Sequence, residues 1–161
     1  MTTTSDLIEM WNINNRINLY LLDAIPDEAL DGKPSGMRGR SVRELFVHIH
    51  NVRLMWLQPM DAERAKSLDK IAVRTKWERE VITKSVLNDA LSASAQAMGD
   101  ALQNRITSGK TGLLKPTPTA FVGYLISHES YHRGEICMTL TQSGHKLDDE
   151  ILYGMWVWDK R

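Results

Sequence analysis

Apolar residues recur at spacings of three and four along most of this chain, which is the pattern of helices that each bury one face. Four stretches carry the pattern for long enough to form main elements: residues 5–24, 41–59, 83–106 and 120–142. A pattern that would suit a strand occurs only in the short apolar run 151–158. The sequence therefore predicts an all-α protein built as a four-helix bundle.

Capping residues and helix breakers support the predicted ends of these four helices. Polar residues of the kind that cap helices precede three of the stretches: Ser5, Ser41, and Thr117 or Thr119. Glu44 follows Ser41 by three positions, which is a capping-box pattern. Pro26, Pro59 and Ser143-Gly144 mark the expected ends. Between the helices, we expect a glycine-rich loop over 27–40 and a short helix over 62–68 within the link 60–82.

Length and charge narrow the classes of function. A chain of 161 residues is about one domain, so residues 1–161 are expected to form a single domain. Twenty acidic residues balance twenty basic ones, which argues against a nucleic-acid or membrane partner. The basic segment 64–84 is interpreted as a solvated connector and helix face.

The lone cysteine and the N-terminal sequence point to a reducing compartment. Cys137 cannot form an intrachain disulfide, and we expect it to pack in the interior. No signal-peptide pattern and no apolar run long enough to span a bilayer is present. We therefore expect a cytoplasmic protein.

Histidines supply the candidate chemistry. His128 and His132 are four residues apart, so a helix places both on one face, one turn apart. On the second helix His48 falls within the apolar arc, whereas His50 falls beyond its edge and is expected to point outward. One divalent metal would satisfy three inward imidazoles together, although a single buried histidine is more often an ordinary hydrogen-bonded core residue.

The other polar residues near the histidines are weaker candidates. Glu135 lies on the side of the helix that carries the histidines, and with Tyr131 it is a candidate acid or base by proximity alone. Glu129 is expected at the surface, and so is His145, which follows the end of the last helix. Cys137 lies about 140° around the helix from His132 and should not join the site.

The segments Ser41-Val-Arg-Glu-Leu-Phe-Val-His48 and His128-Glu-Ser-Tyr-His-Arg-Gly-Glu135 resemble the two signature stretches of the DinB/YfiT-like metalloenzyme superfamily. The resemblance extends from Leu7 to Trp158. It implies an up-down-down-up bundle with a divalent metal, often nickel or zinc, held by His48, His128 and His132. The long link 60–82 suits this topology, because parallel neighbours need a crossover.

The resemblance also implies a reaction. Characterised members include S-transferases and an isomerase that use low-molecular-weight thiols, so a thiol held on the metal would attack a small electrophile. A metal-dependent hydrolase and a non-catalytic, stress-related metal protein remain as alternatives, and an open site would favour an enzyme. We expect a homodimer, with the aromatic run 151–158 packed on its own bundle.

Overall fold

The computed structural model describes residues 3–36 and 38–161, and its regular elements are all helical. The α-helices are α1 (Thr4–Ala24), α2 (Val42–Met60), α3 (Ala62–Lys66), α4 (Lys76–Val81), α5 (Lys84–Thr107), α6 (Pro118–Gln142) and α7 (Asp149–Gly154). Short 3-10 turns occupy Asp27–Asp31, Thr111–Leu113 and Trp158–Lys160. The described residues contain no strand, so the extended pattern suggested for 151–158 is wrong. None of the described helices combines the length and hydropathy that a membrane crossing requires.

The ends of the four long helices lie close to the predicted positions, with one cap misassigned. Thr3, rather than Ser5, caps α1, because its hydroxyl accepts from the Asp6 N–H while the Asp6 carboxylate accepts from the Thr3 N–H. The predicted Ser41–Glu44 capping box is present on α2. Thr117 caps α6, which leaves Pro118 in the first turn, where its missing N–H costs nothing.

The long helices pack as a ring in which α1 and α2 each contact both α5 and α6. Paired residues show the relative directions. Contacts between α2 and α5 ascend along both helices, from His50 with Ala90 to Met60 with Arg105. Contacts between α2 and α6 run in opposite senses: His48 lies beside His132, and Trp56 beside Phe121.

Contacts between α1 and α5 also run in opposite senses. The indole of Trp11 donates to the carbonyl oxygen of Ala95, while Lys84 at the start of α5 donates to the carbonyl oxygen of Asp23 near the end of α1. Because α5 is antiparallel to α1 and parallel to α2, α1 and α2 are antiparallel to each other. This places the C-terminal half of α6 beside the N-terminal half of α2, where the predicted site lies.

Two apolar clusters fill the interior, and a polar layer separates them. One cluster includes Leu21, Phe46 and Ile136, and the other includes Trp11, Leu57 and Phe121. Each long helix contributes buried polar side chains at the level between these clusters: Asn14, Asn15, Asn18, Arg53, Ser94, Glu129 and Arg133. The middle of the molecule is thus a hydrogen-bonded polar layer rather than a continuous apolar core.

The exposure predicted for two residues on the long helices is wrong. His50 is buried, and its ring nitrogens lie 3.0 Å from the carbonyl oxygen of Ala90 and 2.9 Å from that of Asp69. The chain after α3 covers this side of α2, so a face that lies outside the apolar arc is not exposed to solvent. Glu129 is also buried, with 2% of its surface exposed, because the polar layer supplies cationic and amide partners for it.

Candidate metal centre

The structure brings together the three histidines that the sequence singled out. His48 comes from α2, and His128 and His132 come from successive turns of α6. One ring nitrogen from each lies within 4.8 Å of those of the other two. Nε2 of His128 and Nε2 of His132 are 3.1 Å apart. These three residues are the only group of possible metal-binding side chains that converge in this way among the described residues.

The donor atoms fit a divalent ion. Metal–nitrogen bonds of about 2.0–2.1 Å can join two nitrogens that lie up to about 4.2 Å apart, and the 3.1 Å separation of His128 and His132 is within that reach. A hydrogen bond between these two Nε2 atoms requires a hydrogen on one of them and a lone pair on the other. A divalent ion would instead bind the lone pairs of both Nε2 atoms, with each ring hydrogen on Nδ1.

Glu135 orients one of the rings. Its Oε2 lies 2.5 Å from Nδ1 of His132, which places the ring proton on Nδ1 and leaves Nε2 as the acceptor directed at His128. A carboxylate behind a histidine is a common support for a metal ligand, because it fixes the tautomer and makes the imidazole more basic. Glu135, which the sequence offered only as a candidate acid or base, therefore lies behind the His132 ring.

The surroundings keep two of the imidazoles neutral. Burial lowers the pKa of His48 to about 4, with a further contribution from the positive charge of Arg40. Burial likewise lowers the pKa of His128, helped by the neighbouring His132. Only the neutral imidazole can bind a metal, so at neutral pH both rings are in the form that a metal requires.

The histidine cluster is open on one side. His132 is buried, whereas His48 and His128 are half-buried. A cleft of about 580 Å³ is bordered by His48 together with Arg40, Lys70 and Arg74. A second cleft, of about 600 Å³, shares Arg40 and includes Arg38, Glu135 and Met138. The approach to the histidines is therefore wide enough for a small molecule and rich in positive charge.

A buried ion pair lies directly behind the cluster, and sequence reasoning missed it. The guanidinium of Arg53 on α2 donates through Nε to Oε1 of Glu129 at 2.7 Å and through Nη2 to Oε2 at 2.8 Å. Asn14 and Asn18 of α1 also donate to Oε2, at 2.7 and 2.6 Å. Because Glu129 follows His128 directly, this network fixes the rotation of α6 beside the site.

Arg133 extends the same layer on the other side of α6. It donates to the side-chain oxygens of Asn14 and Asn18, at 2.8 and 2.7 Å, and to the hydroxyl of Ser130 at 2.6 Å. Burial lowers the pKa of Arg133 to about 10, although the carboxylate of Glu129 opposes the shift. Arg133 therefore remains charged at neutral pH.

One local signal could have revealed the polar layer. Asn14 and Asn18 lie one turn apart on α1 among apolar positions, and both are fully buried. Buried amides need partners, so two of them on one stripe predict polar side chains on the facing helices. The sequence cannot identify those partners, because Glu129 and Arg133 lie more than a hundred residues away.

The remaining candidates lie at the edge of the site or outside it. Tyr131 has 67% of its surface exposed, and its ring centre is 5.2 Å from that of His132. Cys137 is half-buried against the apolar core, as expected, and does not belong to the histidine group. His145 is half-buried rather than exposed, and it borders a small cavity with Pro26 and Ile151.

Comparison with known proteins identifies the family of this chain. No match was found among the curated proteins or among the solved structures. The sequence model of the DinB family matches residues 1–156, which is nearly the whole chain and includes both helices that supply the histidines. The chain therefore belongs to the DinB family.

Proposed function

We propose that this protein is a divalent-metal-dependent enzyme that acts on a small molecule, with His48, His128 and His132 as the metal ligands. The observation that carries the proposal is the convergence of three imidazole nitrogens within 4.8 Å beside two open clefts. A metal that only clamps helices together would be expected in a closed site. The half-buried His48 and His128 favour a site that a substrate can reach.

We also propose that the four long helices form the up-down-down-up bundle implied by the family resemblance. The pairings of α2 with α5, α2 with α6 and α1 with α5 support this order. The segment from α3 to α4 would then be the crossover that two parallel neighbours require. In such a bundle a site can draw ligands from two facing helices, as we propose for α2 and α6.

The ligand set suits a catalytic ion. Three neutral imidazoles leave the charge of a divalent ion uncompensated, and nickel and zinc are the metals we propose. The ion would act as a Lewis acid that lowers the pKa of a thiol or water bound to it. Glu135 would hold the His132 ring in the tautomer that binds, and the low pKa of His48 would keep that ring uncharged near neutral pH.

Within this class we favour a thiol-dependent S-transferase. The only cysteine, Cys137, is not part of the histidine group, so a reactive sulfur would have to come from a cosubstrate, which we propose is a low-molecular-weight thiol. The positive side chains that border the clefts, among them Arg40, Lys70 and Arg74, favour a thiol or electrophile that carries negative charge. We further propose that the protein acts as a homodimer through faces of its long helices.

The metal is tested first. Protein purified without a metal-affinity tag should contain about one divalent ion per chain by elemental analysis, and the His128→Ala, His132→Ala double variant should contain none. His145→Ala is the matched control, since it removes a half-buried imidazole outside the group. Unchanged metal content in the double variant would refute the metal site.

The thiol is tested next, on protein loaded with cobalt. Binding of a low-molecular-weight thiol to the ion should produce an intense absorption band below about 400 nm, as expected for a soft sulfur ligand. The band and any conjugating activity should both disappear in the His48→Ala variant. If a panel of biological thiols at millimolar concentration leaves the spectrum unchanged, the transferase is excluded, and a hydrolase and a non-catalytic metal protein remain.

A further inference from the structure

Another pocket, separate from the two clefts beside the histidines, lies on the opposite side of α6. This cavity of about 200 Å³ lies between α6 and the C-terminal segment, and its walls are Ile17, Ser130, Arg133, Gly134, Cys137, Met155, Trp156 and Trp158. Gly134 is two residues beyond His132, which turns it by about 200° around the helix. None of the three histidines borders this pocket.

The polar layer beneath the pocket has an excess positive charge. Two guanidinium groups, those of Arg53 and Arg133, are buried in it, and the only buried carboxylate among the described residues is that of Glu129. Arg53 occupies both oxygens of that carboxylate. Arg133 donates only to neutral oxygens, those of two asparagines and Ser130. A buried cation is costly unless an opposite charge is near, so this layer can accommodate one more anion.

Arg133 also has donors left over. A guanidinium carries five N–H groups, and the bonds to Asn14, Asn18 and Ser130 use three of them. The Nε–H and one N–H of Nη2 have no acceptor in the described part of the chain. Nε, which makes no hydrogen bond there, is not sealed inside the protein. Arg133 is 8% exposed and forms a wall of the pocket, so these donors are available to a molecule bound there.

The residues that line the pocket indicate what the ligand carries besides its negative charge. Ile17, Met155, Trp156 and Trp158 make most of the surface apolar, and indole rings favour a flat partner. We propose that this pocket binds a small organic anion, with a carboxylate paired to the Arg133 guanidinium and an apolar, ring-sized body held between α6 and the two tryptophans. A carboxylate matches the fork of N–H groups that a guanidinium presents. The proposal does not depend on the metal site.

Phenylacetate and its neutral amide, phenylacetamide, test the proposal as a matched pair. Isothermal titration calorimetry of the full chain should show one phenylacetate per protein, saturating at millimolar concentration. The amide should bind about tenfold more weakly or worse, since charge-assisted hydrogen bonds are roughly twice as strong as neutral ones. Equal binding of acid and amide, or no binding of the acid, would overturn the proposal.

Cys137 reports where the acid binds. It is the only cysteine and borders this pocket, so bound phenylacetate should slow its alkylation by iodoacetamide in proportion to occupancy, measured by mass spectrometry at pH 8.5. A carboxylate bound at the histidines would leave the alkylation rate unchanged. Saturable binding without protection of Cys137 would therefore place the acid elsewhere and refute the site.

Two glycine variants on α6 locate the site without disturbing Arg133. A Cβ added at Gly134 or at Gly123 meets no heavy atom within 4 Å, but only Gly134 borders the pocket. Gly134→Leu should therefore fill the pocket and reduce phenylacetate affinity at least tenfold, whereas Gly123→Leu should leave it unchanged. Arg133→Gln should lose the preference for acid over amide. If that variant does not fold, the glycine pair alone decides, and equal affinity in both glycine variants would refute the site.

Discussion

The buried ion pair behind the histidines makes the strongest prediction about stability. Replacing Glu129 by Gln keeps the shape of the side chain but removes its charge and presents an amide N–H₂ to groups that donate to the native carboxylate. The guanidinium of Arg53, 1% exposed, would then lack its counter-charge. Removing one partner of a buried ion pair typically costs about 3–5 kcal/mol. For a chain of this length that is a fall in Tm of about 6–20 °C.

Urea unfolding followed by circular dichroism measures the change in the free energy of unfolding. The matched control is Glu9→Gln, because Glu9 forms a 2.5 Å ion pair with Arg16 and both side chains are exposed. An exposed pair contributes less than about 1 kcal/mol, so this variant should unfold almost as the native protein does. If Glu129→Gln also lowers the free energy of unfolding by less than about 1 kcal/mol at an unchanged m-value, the buried ion pair does not stabilise the fold as inferred from its burial.

The pH dependence of this difference provides a second check. Burial alone would raise the pKa of Glu129, but the charge of Arg53 and the hydrogen bonds from Arg53, Asn18 and Asn14 outweigh it and keep the pKa below its ordinary value. Such a carboxylate stabilises the fold fully above the unfolded-state pKa of about 4.3 and loses that contribution as pH falls through the folded-state pKa. The difference in free energy of unfolding between the native protein and Glu129→Gln should have its full size at pH 7 and should become smaller below about pH 4. If this difference in free energy instead grows as the pH falls, the predicted direction of the pKa shift of Glu129 is wrong.

Three further predictions concern the candidate metal centre. Glu135→Gln should lower metal affinity about 10–100-fold by calorimetry, because it weakens the support for a metal-binding imidazole, whereas Tyr131→Phe should not change it. Arg40→Ala should raise the pKa of His48 above its value of about 4, as measured by NMR titration. Metal should then be lost at a higher pH on acidification. If the pH at which half of the metal is lost does not change, the charge of Arg40 does not act on the site. Cys137→Ser should leave metal affinity unchanged, and a large loss would show that the thiol takes part in binding.

The expected pH range of metal binding illustrates what the structure adds to the sequence. Free imidazole titrates near 6.5, so the sequence alone predicts that protons displace the metal through that range. Burial lowers the pKa of both His48 and His128. Protons are therefore expected to displace a metal from these two rings only at lower pH. No local pattern of residues reveals this, because desolvation depends on which elements cover a side chain.

The sequence by itself determined the helices and the metal-binding candidates. Periodicity and capping residues depend on neighbours within one or two turns, so the ends of α1, α2, α5 and α6 were predicted to within two residues. The spacing of His128 and His132 required only that α6 be helical. His48 could be added because its position in the apolar arc of α2 pointed it toward the other helices.

Only the tertiary structure decided which polar groups are buried. His50 lies outside the apolar arc of α2, but the backbone after α3 covers it and provides the carbonyl of Asp69. Glu129 carries a charge that a local rule places at the surface, yet Arg53 and the asparagines of α1 make its burial favourable. The cost of burying a charge depends on partners that are distant in sequence. Those partners become neighbours only when the helices pack.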